Sequence, residues 1–137
     1  MSHTCNHFLL TCIDFRFHKA IHEWLEKQGM LKDYDLVCLA GSQKSFLDED
    51  SQPTALKQLA ISSRLHEVKR VILIAHQDCG AYGGSKAFGS LEEEFQRYAT
   101  DLNAAETLIK EKHPNLEVLK MIAKFDENDN ISFQQIQ

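Results

Sequence analysis

The sequence predicts an α/β fold: a mainly parallel sheet with helices on both faces. Three observations predict it. Short apolar runs alternate with segments of helical periodicity, polar or glycine-containing turns separate them, and the 137 residues suffice for about one domain with a real core. Alternation of this kind implies right-handed crossovers between parallel neighbours. Residues 1–137 are therefore read as a single domain.

The elements follow in order. Residues 7–12 form a first strand, and Phe17, Ile21, Trp24 and Leu25 recur at helical spacing over 17–28 until Gly29 stops them. Residues 34–40 form a second strand, followed by a polar loop over 41–52. Pro53 suits a first helical turn, with Leu56, Leu59, Ala60 and Ser63 able to share a face. Residues 70–75 form the third strand. A glycine-rich segment, 80–89, leads into a long helix over 90–112, whose stripe of Leu91, Phe95, Tyr98, Leu102, Ala105 and Ile109 ends near Pro114. The run Glu92 to Glu94 reads as an exposed first turn favoured by the helix dipole. Residues 116–124 form a fourth strand, DENDN a turn, and 131–133 a short antiparallel edge strand. In the strand order 2-1-3-4, strands 1 and 3 are neighbours and a crevice opens at their C-terminal ends. Cys12 and His76 stand there.

Composition narrows the function. With 15 basic against 20 acidic residues and a net charge of -5, no basic stripe is available for phosphates, so nucleic acid is not an expected partner. The absence of a long apolar span or a signal-like N-terminus leads to the expectation of a cytoplasmic protein with no membrane contact. In a reducing compartment Cys5, Cys12, Cys38 and Cys79 are better read as buried thiols or metal ligands than as disulfides.

Two segments carry the chemistry, TCIDFRF at 11–17 and VILIAHQDCGAYGG at 71–84. Cys12, His76 and Cys79 supply two thiolates and an imidazole, a set that suits Zn2+ with one position left for water. Zinc at such a site lowers the pKa of bound water to roughly 7. Asp14 lies close enough to fill the fourth position or to accept a hydrogen bond from the water, and the planar fork of Arg16 can withdraw and hold Asp14. A structural ion pair is the plainer reading of Asp14 and Arg16, and a buried thiol that of Cys12 alone. His3-x-Cys5-x-His7 reads as incidental spacing at a fraying terminus. His18 and His22 read as a solvated face, with His18 near the mouth of the site. The glycines fit tight turns around a metal loop, because no phosphate-binding pattern is present.

Cys12-Ile-Asp14-Phe-Arg16 and His76-Gln-Asp-Cys79-Gly80 resemble the C-x-D-x-R and H-x-x-C-G motifs of the β-class carbonic anhydrases, and Leu39-Ala-Gly41 and EVKRVILIAHQDCGA extend the likeness over most of the chain. The resemblance implies Cys12, His76 and Cys79 as zinc ligands, Asp14 with Arg16 as a catalytic dyad, and reversible hydration of carbon dioxide to bicarbonate through zinc-bound hydroxide. It also implies a homodimer or larger homo-oligomer. Phe15 departs from the serine common at that position, and the segment after Cys79 is short. Two alternatives stand beside this reading: a carbonyl sulfide or carbon disulfide hydrolase of the same fold, and a catalytically silent, zinc-stabilised binding module.

Overall fold

A computed structural model describes residues 2–137. Its five strands are β1 (His7–Thr11), β2 (Tyr34–Cys38), β3 (Arg70–His76), β4 (Glu117–Phe125) and β5 (Ile131–Ile136). The helices are α1 (His18–Lys27), α2 (Gln52–His66) and α3 (Leu91–Lys112). The strands form one sheet in the order β2-β1-β3-β4-β5, parallel except for the β4–β5 pair. The expected order 2-1-3-4 is therefore present, with the antiparallel strand added beyond β4. That strand runs three residues further than 131–133, because its register carries Ile136 back to Lys120.

Central position explains the composition of β1 and β3. Covered on both faces, they read as continuous apolar runs, buried except at their first residues. Their side chains still alternate. Phe8, Leu10 and Cys12, with Val71, Leu73 and Ala75, enter a larger core with Ala55 and Leu59 of α2 and Tyr98, Leu102, Ala105 and Ile109 of α3. Leu9, Ile72 and Ile74 enter a smaller core with Phe17 and with Ile21 and Leu25 of α1. The connections after β1 and β3 thus leave to opposite faces, which opens a crevice at the strand ends.

Three expectations about packing are corrected. The buried face of α2 is Ala55, Leu59 and Ser62, while Ala60 is exposed and Leu56 and Ser63 are half-buried. Ser62 is drawn inward because its hydroxyl donates to Asp35 Oδ2 at 2.7 Å. The loop over 41–52 contains a 3₁₀ turn, Ser42–Phe46, whose Ser42, Gln43, Ser45 and Phe46 are buried against the sheet. Glu94 is fully buried, unlike its exposed neighbours Glu92 and Glu93. At the start of α3 the Ser90 hydroxyl accepts Glu93 N–H at 3.1 Å, and Glu93 reaches back to Gly89 N–H at 2.9 Å. No helix among the described residues is long and apolar enough to cross a membrane.

Candidate metal centre

Cys12 follows β1, His76 ends β3 and Cys79 lies three residues beyond it, so strand pairing brings all three to one end of the sheet. Their ligand atoms lie within 4.8 Å of one another, and all three residues are buried. His76 Nδ1–H donates to the Gln77 carbonyl at 2.7 Å. A carbonyl only accepts, so this bond fixes the tautomer and leaves Nε2 as a bare lone pair. That nitrogen is buried without a hydrogen-bond partner. Phe17 stacks on the imidazole at 4.3 Å between ring centroids and holds its orientation.

The donor set fits zinc. Two sulfurs bound at ~2.3 Å to one tetrahedral ion stand about 3.8 Å apart. Cys12 Sγ and Cys79 Sγ are 4.0 Å apart. Cys12 also accepts Gly41 N–H at 3.4 Å. The bond from the Cys79 thiol, chiefly, pulls Cys12 well below the ordinary thiol range against the effect of burial. The hydrogen bond with Cys12, together with burial, pushes Cys79 up. A bound cation favours the thiolate form of both sulfurs. An unsatisfied imidazole nitrogen facing two sulfurs is the arrangement a thiophilic divalent ion completes.

Asp14 stands outside that ligand group, with Oδ2 3.8 Å from His76 Nε2. Arg16 accounts for its position. The guanidinium donates from Nε to Asp14 Oδ1 at 3.0 Å and from Nη2 to Oδ2 at 2.7 Å, and Arg16 N–H reaches Oδ1 at 2.9 Å. These bonds, led by the side-chain fork, hold the Asp14 carboxyl below its usual range. Arg16 is held in turn by Asp78, through Nη1 to Oδ2 and Nη2 to the carbonyl, both at 3.0 Å. Its guanidinium carbon lies 5.4 Å from the centroid of the Phe125 ring. A cleft of about 690 Å³ opens beside Arg16, lined also by Gln77, Asp78, Ser85 and Phe125. Ile13 and Phe15, which flank Asp14 in the sequence, are 59% and 84% exposed.

Sequence reasoning missed Asp78 and Glu94. Asp78 occupies a spacer position of the H-x-x-C motif, yet it adopts φ 60°, a conformation that aspartate tolerates better than most residues. Its Oδ1 accepts Ser85 N–H at 2.8 Å. Gly84 makes that approach possible: at φ 78° a Cβ there would lie 3.0 Å from Asp78 Oδ1. Glu94 Oε2 accepts Asp78 N–H at 2.6 Å and the Tyr98 hydroxyl at 2.7 Å, while Oε1 accepts the Ser85 hydroxyl at 2.7 Å. Tyr98 in turn accepts Cys79 N–H at 3.4 Å. A chain of hydrogen bonds thus supports both Arg16 and Cys79 from behind. Glu94→Ala leaves the Asp78 N–H and the Tyr98 and Ser85 hydroxyls without their common acceptor. The expected cost is about 1–3 kcal/mol, read as a lower urea midpoint at unchanged slope.

His18 and His22 are exposed, as expected, and His18 Nε2–H donates to the Cys12 carbonyl at 3.2 Å. His3, Cys5 and His7 do not form one cluster: His7 Nε2 lies 3.8 Å from Asp33 Oδ2, while His3 and Cys5 meet residues of α2 and β2.

Comparison with known proteins gives the family. A family model described as "Putative carbonic anhydrase" matches residues 2–136. The chain belongs to that carbonic anhydrase family. Two relatives, uncharacterized proteins of Rickettsia conorii and Rickettsia bellii, are 28% and 29% identical over 124 residues, covering 86% of this chain and 67% and 76% of theirs. Among solved structures, a carbonic anhydrase from Glaciozyma antarctica superposes with TM-score 0.54 at 17% identity, over 93% of this chain and 80% of that one. The β-carbonic anhydrase CafA of Aspergillus fumigatus gives 0.55 at 16% identity, over 99% and 76%. At these identities the likeness to the solved carbonic anhydrases is one of fold.

Proposed function

We propose that this chain is a zinc lyase that reversibly hydrates carbon dioxide to bicarbonate. The observation that carries the reading is the buried, unpartnered His76 Nε2 facing two thiols, with a carboxylate held beside it by an arginine. Cys12, His76 and Cys79 would hold the ion. Zinc, when bound, supplies the Lewis acidity that brings the ionisation of water down to roughly neutral pH.

The remaining work falls to the chain. Hydration joins a water oxygen to the carbon of carbon dioxide, moves one C=O electron pair onto oxygen and releases one proton. Asp14 Oδ2, ionised under the influence of Arg16, accepts an O–H of that water and turns the reacting lone pair toward the carbon. Arg16 occupies both carboxylate oxygens and keeps Asp14 from turning into the donor set. Asp78 holds Arg16 and is a positioning residue. Ile13 and Phe15, exposed on either side of Asp14, support the further proposal that a second copy of the chain closes the site as a homodimer.

The test is a hydration assay on protein of verified zinc content from about pH 6.5 to 9, with carbonyl sulfide and carbon disulfide in parallel. Hydration should exceed background, rise with pH, vanish on chelation and return with zinc, and carbon dioxide should be the preferred substrate. Zinc-loaded protein without hydration at any pH would refute the reading. Turnover of a sulfur substrate alone would move the assignment to a hydrolase.

A further inference from the structure

A second group of metal-ligating side chains lies at the opposite end of the sheet from Cys12 and His76. The segment before β1 docks there. Cys5 N–H donates to the His66 carbonyl at 3.0 Å, and the Asn6 carbonyl accepts Lys69 N–H at 2.9 Å. Asp35, the second residue of β2, accepts the Ser62 hydroxyl at 2.7 Å and His66 Nδ1–H at 2.7 and 2.9 Å. Ligand atoms of Cys5, Asp35 and His66 lie within 4.8 Å of one another, and all three residues are half-buried. His66 Nε2 faces His3 Nε2 at 3.2 Å.

We propose that Cys5, Asp35 and His66 form a second metal site, for a divalent ion of the zinc and cobalt class, with His3 orienting His66. The donors are a thiol, a carboxylate and an imidazole from three separate parts of the chain, a mixture that suits a borderline ion better than magnesium or calcium. The ion takes the place of the proton now shared between His66 Nδ1 and Asp35. The ring's other nitrogen then carries the hydrogen and donates it to His3 Nε2, the relation a metal-bound histidine makes with its supporting acceptor. Cys5 releases its thiol proton to solvent on binding, and thiolate and carboxylate together balance the ion's charge. His66 is the last residue of α2, so the negative end of that helix adds to the attraction for a cation. Ser62, one turn earlier, fixes Asp35. The ion would clasp the N-terminal segment, β2 and α2 together, independently of the chemistry at the other end of the sheet.

The test uses cobalt(II) chloride, titrated into the full-length protein preloaded with one equivalent of zinc. Sulfur-to-cobalt charge transfer is followed by absorption, in wild type and in Cys5→Ser, which preserves the shape of the side chain. Any signal from Cys12 and Cys79 is common to both proteins and cancels in the difference. A difference band saturating at one equivalent supports the site. So does its weakening by about 10- to 100-fold in apparent affinity in His3→Ala, where only the supporting acceptor is lost. His66→Gln should abolish the band, and circular dichroism on the same sample establishes that this variant is folded. Identical titrations of wild type and Cys5→Ser overturn the proposal.

Discussion

His76→Ala is expected to lower zinc content by one equivalent per chain and stability by several kcal/mol. The ring supplies the only nitrogen of the Cys12–His76–Cys79 group, and it is also the surface on which Phe17 stacks. Loss of a buried side chain of this size costs roughly 2–5 kcal/mol from packing alone. Metal linkage adds to that, since structural zinc contributes up to about 10 kcal/mol or more to folding in small domains. Elemental analysis and thermal melts with and without chelator separate the two parts. Chelation should lower the wild-type melting temperature much more than that of the variant. Cys12→Ser and Cys79→Ser should share the loss of metal, and full zinc occupancy in all three variants would overturn the ligand assignment.

Arg16→Ala is expected to keep its zinc and lose activity by about 100- to 1,000-fold, the scale on which a preorganised polar group contributes to catalysis. With the fork gone, Asp14 is free to turn across the 3.8 Å that separates Oδ2 from His76 Nε2 and enter the donor set. Arg16→Lys should not rescue it, because a point charge cannot serve both oxygens of Asp14 together with Asp78. Zinc-edge absorption spectroscopy should show an added protein oxygen in Arg16→Ala. An unchanged coordination shell together with wild-type hydration rates would reduce Asp14 and Arg16 to a structural ion pair.

Much of this was legible in the sequence because local signals and topology agreed. Gly29, Pro53 and Pro114 lie at or near helix ends, and alternation of strands and helices, taken with the assumed strand order 2-1-3-4, brings Cys12 beside His76. What stayed hidden depended on partners distant in sequence. Glu94 looks like one of three solvated glutamates until the loop carrying Asp78 and Ser85 folds over it. Ser62 joins Ala55 and Leu59 on the buried face of α2, its hydroxyl donating to Asp35, 27 residues earlier. The 3₁₀ turn after Gly41 has polar composition but is buried, for Ser42 donates to the Leu10 carbonyl at 3.2 Å. Asp78 was concealed by reading a motif as ligands separated by spacers.

The two thiols of the candidate metal centre are separated by 67 positions in the chain. An ion shared between them would close a long loop that requires β1 to have found β3, so the pocket is expected to be completed late in folding. Interactions made after the transition state slow unfolding more than they speed folding. A bound ion would therefore act as a kinetic lock on the centre of the sheet. Its escape to a chelator would be paced by separation of β1 from β3, and the lifetime of the native state would exceed what equilibrium stability alone suggests.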